Sequence, residues 1–242
     1  MRKLLLSIIL PLVFVAGVSA QIDLSKRHFA LGFEFAAAGE FESAIGAYQR
    51  SLQIAEASSG AELKRYMGKI HYNIGVCAYK LKNLTKAERH FSAAIVIDPV
   101  EDSKKYFSLA VTQIDQKKFD DAKKTLRALL RNDESHGEAW FELGMIYVSE
   151  RKIEAAKAAF ERSAQINGIR RPDAINNIGV ILAMEGDLRS AARVFEKAYF
   201  ASGQRLFAAK KNFEYCLRHS NDGPIKLVST LTITGKEDNK NG

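Results

Sequence analysis

The strongest constraint on this chain is a spacing. Ala44, Ala87, Ala122, Ala156 and Ala191 stand 43, 35, 34 and 35 positions apart, and four places after each comes a large residue, Tyr48, Phe91, Leu126, Phe160 or Phe195. A step of 34 to 35 is the length of one helix-turn-helix unit, and chance matches to a loose pattern do not keep register through an array. The small residue lets two antiparallel helices approach closely, and the large one fills the hollow that this approach creates. Trp140, Leu143, Gly144 and Tyr147 add the i, i+3, i+4, i+7 spacing of one helical stripe, which Ala156 and Phe160 oppose. Each helix pair still leaves apolar area uncovered, so successive pairs stack and stability comes from nearest-neighbour interfaces.

The same frame recurs through His71, Ile74, Gly75, Ala87, Phe91, Ala94 and Pro99, and through Ile175, Ile178, Gly179, Ala191, Phe195 and Ala198. A fourth copy runs through His28, Leu31, Gly32, Phe35, Ala44 and Tyr48, and the most degenerate through Tyr106, Leu109, Ala110, Ala122, Leu126 and Leu129. Over about residues 24–201 the chain resembles the tetratricopeptide repeat (TPR) family, whose W-x2-L-G-x2-Y…A-x3-F signature is carried by Trp140 to Phe160. The resemblance implies an all-α, right-handed α-solenoid of about five helix-turn-helix repeats. Turn signals at Gly39, Asn83, Arg151 and Gly186-Asp187 fall inside the hairpins. The longer first interval predicts an extended first helix in the second repeat, from Ala61 to Lys82, projecting beyond its neighbours. Gln204 to His219, with Leu206, Phe207, Phe213 and Leu217 on an amphipathic pattern, reads as a C-terminal capping helix.

The two ends differ in character from the array. Arg2 and Lys3, the apolar run from Leu4 to Val18 and the triplet Val18-Ser19-Ala20 form the pattern of a secretory signal peptide cleaved before Gln21. A membrane anchor is the rival, but Pro11 and Gly17 interrupt the run, and its uninterrupted length falls short of the roughly 20 residues a span requires. The expected organisation is a leader over 1–20, a solenoid with its capping helix over 21–220 and a flexible tail over 221–242. In the tail Ile225, Leu227, Leu231 and Ile233 alternate with polar residues in a strand-like period of two. The expected location is periplasmic or otherwise exported, in a bacterial envelope, with no membrane span in the mature form.

Removing the leader leaves 34 basic against 28 acidic residues. The charges are interspersed, as in Lys117, Lys118, Asp120, Asp121, Lys123 and Lys124, which makes solvated faces rather than a phosphate-binding stripe. Nucleic acid is therefore not an expected partner. Cys77 and Cys216, 139 positions apart, make neither a disulfide framework nor a zinc site. A bridge between them stays open, although Cys77, among Ile74, Val76 and Ala78, reads as a small buried thiol. None of the five histidines stands with another ligand at zinc-protease spacing, and His28 and His71 occupy the packing slot of Trp140. There is no nucleophile elbow, phosphate loop or dinucleotide fingerprint, so no catalytic residue, metal or cofactor is expected. Asn83-Leu84-Thr85 is a formal glycosylation sequon in a turn, a tripeptide common by chance.

In the family that the chain resembles, the first helices of the repeats line a concave surface. The matching residues here are Phe29, Phe33, Tyr72, Val76, Tyr79, Phe107, Val111, Ile114, Phe141, Met145, Val148, Asn176, Val180 and Met184. One aromatic recurs at the same place as Phe29, Tyr72, Phe107 and Phe141, with Asn176 in the fifth copy. Two readings stay open: these side chains grip a helix or extended peptide, or they complete packing between repeats. Chaperone-binding relatives carry Lys and Asn here as a clamp for a terminal carboxylate, and Phe, Tyr and Val argue against that ligand. The expected function is a non-catalytic scaffold or adaptor binding a protein or peptide partner. The alternative is a periplasmic binding protein for a small apolar ligand held between the repeats.

Overall fold

A computed structural model describes residues 21–57, 61–98 and 103–219, with main chain alone for 61–65. The leader, Pro99 and the tail with its 225–234 segment lie outside the described residues. Within them the chain forms eleven helices and no strand. They are α1 (21–37), α2 (Phe41–Glu56), α3 (Ala61–Lys80), α4 (Leu84–Ile97), α5 (Ser103–Asp115) and α6 (Phe119–Asn132), followed by α7 (Gly137–Ser149), α8 (Ile153–Gln165), α9 (Arg171–Met184), α10 (Leu188–Ala201) and α11 (Phe207–His219). The fold class is the all-α solenoid type built from helical hairpins.

The helices gather into two compact units, one ending at Thr125 and the other beginning at Leu126, within α6. In the first unit α2 packs on α3, α3 on α4 and α4 on α5. In the second, each of α7 to α10 packs on the helix that follows it.

The close approach inferred from the small residues is present in four hairpins. A Cβ built on Gly32, Gly75, Gly144 or Gly179 would stand 2.6, 2.7, 2.5 or 2.7 Å from the ring of Tyr48, Phe91, Phe160 or Phe195 respectively. In the degenerate third copy Ala110 and Leu126 stand at these two positions in the sequence, and each is fully buried. A second close approach had no sequence signal. The Ser51 hydroxyl donates to the Ser25 carbonyl at 2.8 Å, and the Ser163 hydroxyl donates to the Gly137 carbonyl at 2.9 Å, each joining equivalent positions of a hairpin.

The turns inside the hairpins share one geometry. Gly39, Lys82, Lys117, Arg151 and Gly186 all have positive φ, between 59° and 90°. In each, that residue's N–H bonds three back and the next N–H bonds five back, as in Lys82 to Tyr79 and Asn83 to Ala78. This double closure satisfies the last carbonyls of the first helix. Lys117, in the degenerate copy, completes a series in which the sequence had marked the other four turns.

Two details differ from expectation, both at the capping helix, while within α3 Tyr66 lies 5.3 Å from Phe29 and Met67 joins the core of the first unit. The capping helix begins at Phe207, since Ser202 to Leu206 form a connection fixed by the Ser202 hydroxyl, which accepts from the N–H groups of Arg205 and Leu206. On that helix Phe213 packs inward, whereas Phe207 and Leu217 are exposed. Cys77 and Cys216 are free, and burial raises both thiols, that of Cys216 to about 11, which keeps them protonated.

Candidate functional site

The first helices α1, α3, α5, α7 and α9 carry the fourteen residues singled out above. Their surroundings divide them by depth. In the first unit the recurring aromatic rests on the second helix of its own hairpin: Phe29 is 5.3 Å from Tyr48, and Tyr72 is 5.7 Å from Phe91. Both stay half-buried, as do Val76, Tyr79, Phe107, Val111 and Ile114. Phe33 is 62% exposed. The Tyr79 hydroxyl donates to Asp115 of α5 at 2.5 Å, and the Lys82 ammonium lies 5.8 Å from its ring centre. The first helices of this unit thus leave a partly open apolar strip.

The second unit treats the same positions differently. Phe141 is buried against Phe160, 5.6 Å away, and the Arg170 guanidinium lies over its ring, 5.1 Å from the centre. Asn176 and Val180 are buried too. Met145 and Val148 are half-buried, and Met184 is exposed. Asn176 belongs to a polar thread: Asn212 of α11 donates to it at 3.3 Å, it donates to Asn177 at 3.4 Å, and Asn177 donates to the Met145 sulfur at 3.5 Å. The positions in the second unit are therefore closed for the most part. The open apolar side chains belong mainly to the first unit.

The structure adds a histidine pair. His71 of α3 and His90 of α4 bring their Nδ1 atoms to 2.9 Å, with His90 nearly buried and His71 half-buried. Arg89 lies 3.4 Å from His90 Nε2. A guanidinium can only donate, so His90 Nε2 is the acceptor and its proton sits on Nδ1, from which it is donated to His71 Nδ1. Both rings are neutral in this arrangement. Burial lowers the pKa of both; at His71 Glu56 partly offsets it, and at His90 His71 and Arg89 add to it, so that His90 falls to about 4. A sequence signal existed: the same two slots hold Trp140 and Ala159, so a large-and-small pair has been exchanged for two middle-sized rings. Packing against the second helix is the role expected of His71, and the pair gives it that role with a hydrogen bond added.

No group of three or more His, Cys, Asp and Glu able to hold a metal ion occurs among the described residues, and no described helix is long and apolar enough to cross a membrane.

Two family models, each described as tetratricopeptide repeat, match residues 68–99 and 107–174. No curated protein matches the sequence. Among solved structures, the chain is similar to MamA, with 19% identity, a TM-score of 0.62 and coverage of 72% of this chain and 96% of that one. It is similar to a tetratricopeptide repeat protein of Parabacteroides merdae, with 14% identity, a TM-score of 0.65 and coverage of 82% and 74%. It is also similar to YrrB, described as a TPR protein with an unusual peptide-binding site, with 17% identity, a TM-score of 0.58 and coverage of 80% and 90%.

Proposed function

We propose, from the premise that the chain is a tetratricopeptide-repeat protein, that it is a non-catalytic scaffold or adaptor of the bacterial envelope that holds a segment of a protein partner. The observation that carries this reading is the apolar strip on α1, α3 and α5, where Phe33 stands 62% exposed beside half-buried Phe29, Tyr72, Val76 and Tyr79. Hydrophobic side chains left partly open beside a rigid layer are what an extended or helical segment uses as anchor points. YrrB, similar in fold, is described by its peptide-binding site, which supports a peptide as the class of ligand.

Location in the envelope rests on Arg2, Lys3, the apolar run to Val18 and Val18-Ser19-Ala20. Amino-terminal sequencing of the protein from cells is expected to begin at Gln21, and an intact Met1 on a membrane-embedded product would reverse this part of the reading. The scaffold role is tested by crosslinking in envelope extracts with the wild type and with Phe33→Ser/Val76→Ser. A specific crosslinked partner lost in the double variant, with melting unchanged, supports the role. Equal crosslinking by both overturns it.

A further inference from the structure

We propose that the chain forms a two-fold dimer through α1, which packs antiparallel on α1 of a second copy with Leu24 and Leu31 in the contact and Arg27 paired with the partner's Glu34. This goes beyond the scaffold reading and does not depend on it.

The leucine slot of the repeat faces the hairpin that comes before it. Ile74 of α3 lies in one core with Ala44 and Tyr48 of α2, and Leu109 of α5 joins that core with Ala87 and Phe91 of α4. Ile178 of α9 packs against the core that holds Ala156 and Phe160 of α8. Ile74, Leu109 and Leu143 are accordingly only 0%, 7% and 2% exposed. Leu31 holds the same slot in α1, which no described helix precedes, and it is 40% exposed. Leu24, two turns earlier on the same stripe, is open as well. The terminal repeat of a solenoid needs a polar outer face, so two open leucines leave this stacking surface unfinished.

The charges beside the leucines specify what finishes it. Arg27, Leu31 and Glu34 stand at i, i+4 and i+7, which places one charge on each side of Leu31 along the helix. Both charges are exposed, and neither side chain has an ion pair or hydrogen bond among the described residues. A parallel second copy would set like charges together. An antiparallel copy, with the two Leu31 side chains at the axis, sets each Arg27 beside the partner's Glu34, and a two-fold contact makes that pairing twice. A face that is its own charge complement selects a second copy of itself over an unrelated segment.

The contact leaves the other flank of α1 open. Gly32 and Ser25 mark the side that meets α2, through Tyr48 and Ser51. Leu24 and Leu31 lie to one side of that line, and Phe29 and Phe33 to the other. Dimerisation through the leucines therefore does not cover the apolar strip of the first unit.

Sedimentation equilibrium of the purified protein in detergent-free buffer is expected to show a dimer. Arg27→Glu sets like charges across the axis and is expected to raise the dissociation constant about tenfold. Arg27→Glu/Glu34→Arg restores opposite charges and is expected to recover the dimer, which a general effect on folding would not produce. Under mild oxidation Leu31→Cys is expected to cross-link two copies, whereas Phe33→Cys on the other flank is not; the native Cys77 and Cys216 are buried. A monomer at every concentration overturns the proposal, and so does a dimer that neither charge variant changes. Species that grow beyond the dimer would set another surface, such as the exposed Phe207 of α11, against α1 and overturn the two-fold contact. The crosslinking that tests the scaffold role reads the opposite flank, so the two readings fail separately.

Discussion

A methyl group placed on Gly144 would stand 2.5 Å from Cε1 of Phe160, nearer than a side-chain carbon can approach a ring. Any side chain there must displace either the ring or the backbone of α7. We expect Gly144→Leu to destabilise the second unit by about 1 to 3 kcal/mol or more. Thermal unfolding checks this, and a melting curve matching the wild type would mean that the hairpin accommodates bulk by a route the packing does not offer.

Phe33 and Phe141 separate binding from packing. Phe141→Ser empties a site flanked by Phe160 and Arg170 and is expected to cost about 3 kcal/mol or more. Phe33→Ser changes an exposed residue and is expected to alter stability by no more than about 0.5 kcal/mol. Circular dichroism melts of the two variants give the comparison, and a large loss for Phe33→Ser would make that residue part of the core.

The histidine pair predicts a stability that falls in mild acid. Both folded pKa values lie below the ordinary 6.5, that of His90 at about 4, so the unfolded chain binds more protons between those values. The contribution is complete above about pH 6.5 and is lost as pH falls toward about 4. Melting temperatures measured from pH 7.5 to 4.5 should decline by several degrees. His71→Trp/His90→Ala, which copies Trp140 and Ala159, should flatten that decline, and an unchanged slope in the double variant would remove the pair as its source.

Asp98 and Lys105 form an ion pair at 2.7 Å, with the lysine side chain 5% exposed and the carboxylate 13% exposed. Asp98→Ala leaves a buried ammonium short of its counter-ion, at an expected loss of about 3 to 5 kcal/mol. Adding Lys105→Met should recover most of that loss, because removing both charges is far less costly than stranding one. Chemical denaturation of the single and double variants tests it; no recovery would show that Asp98 acts through the end of α4 instead.

The hairpins were legible because their determinants are local. Gly75 with Phe91, or Gly144 with Phe160, stand 16 positions apart in sequence, and one helix pair satisfies both. The depth of the candidate surface was not legible. Phe29 and Phe141 meet equivalent partners, Tyr48 and Phe160, but that register says nothing of what arrives from elsewhere. Arg170 lies 29 positions from the Phe141 it covers, and Asn212 lies 36 from Asn176. The serine contacts were hidden for another reason, since a hydroxyl to a carbonyl has no periodic signature.

The polar thread from Asn212 through Asn176 and Asn177 to Met145 makes the capping helix a mechanical neighbour of α7, two hairpins earlier in the chain. Apolar contacts slide with little penalty, whereas a buried amide out of register forfeits its partner and costs about 1 to 3 kcal/mol. Removing the half-buried Met145 sulfur takes one acceptor from Asn177, and the thread predicts that the change is felt at α11. Faster hydrogen exchange of the α11 backbone amides in Met145→Ala than in the wild type is the expected outcome, and unchanged exchange would confine the thread's role to local packing.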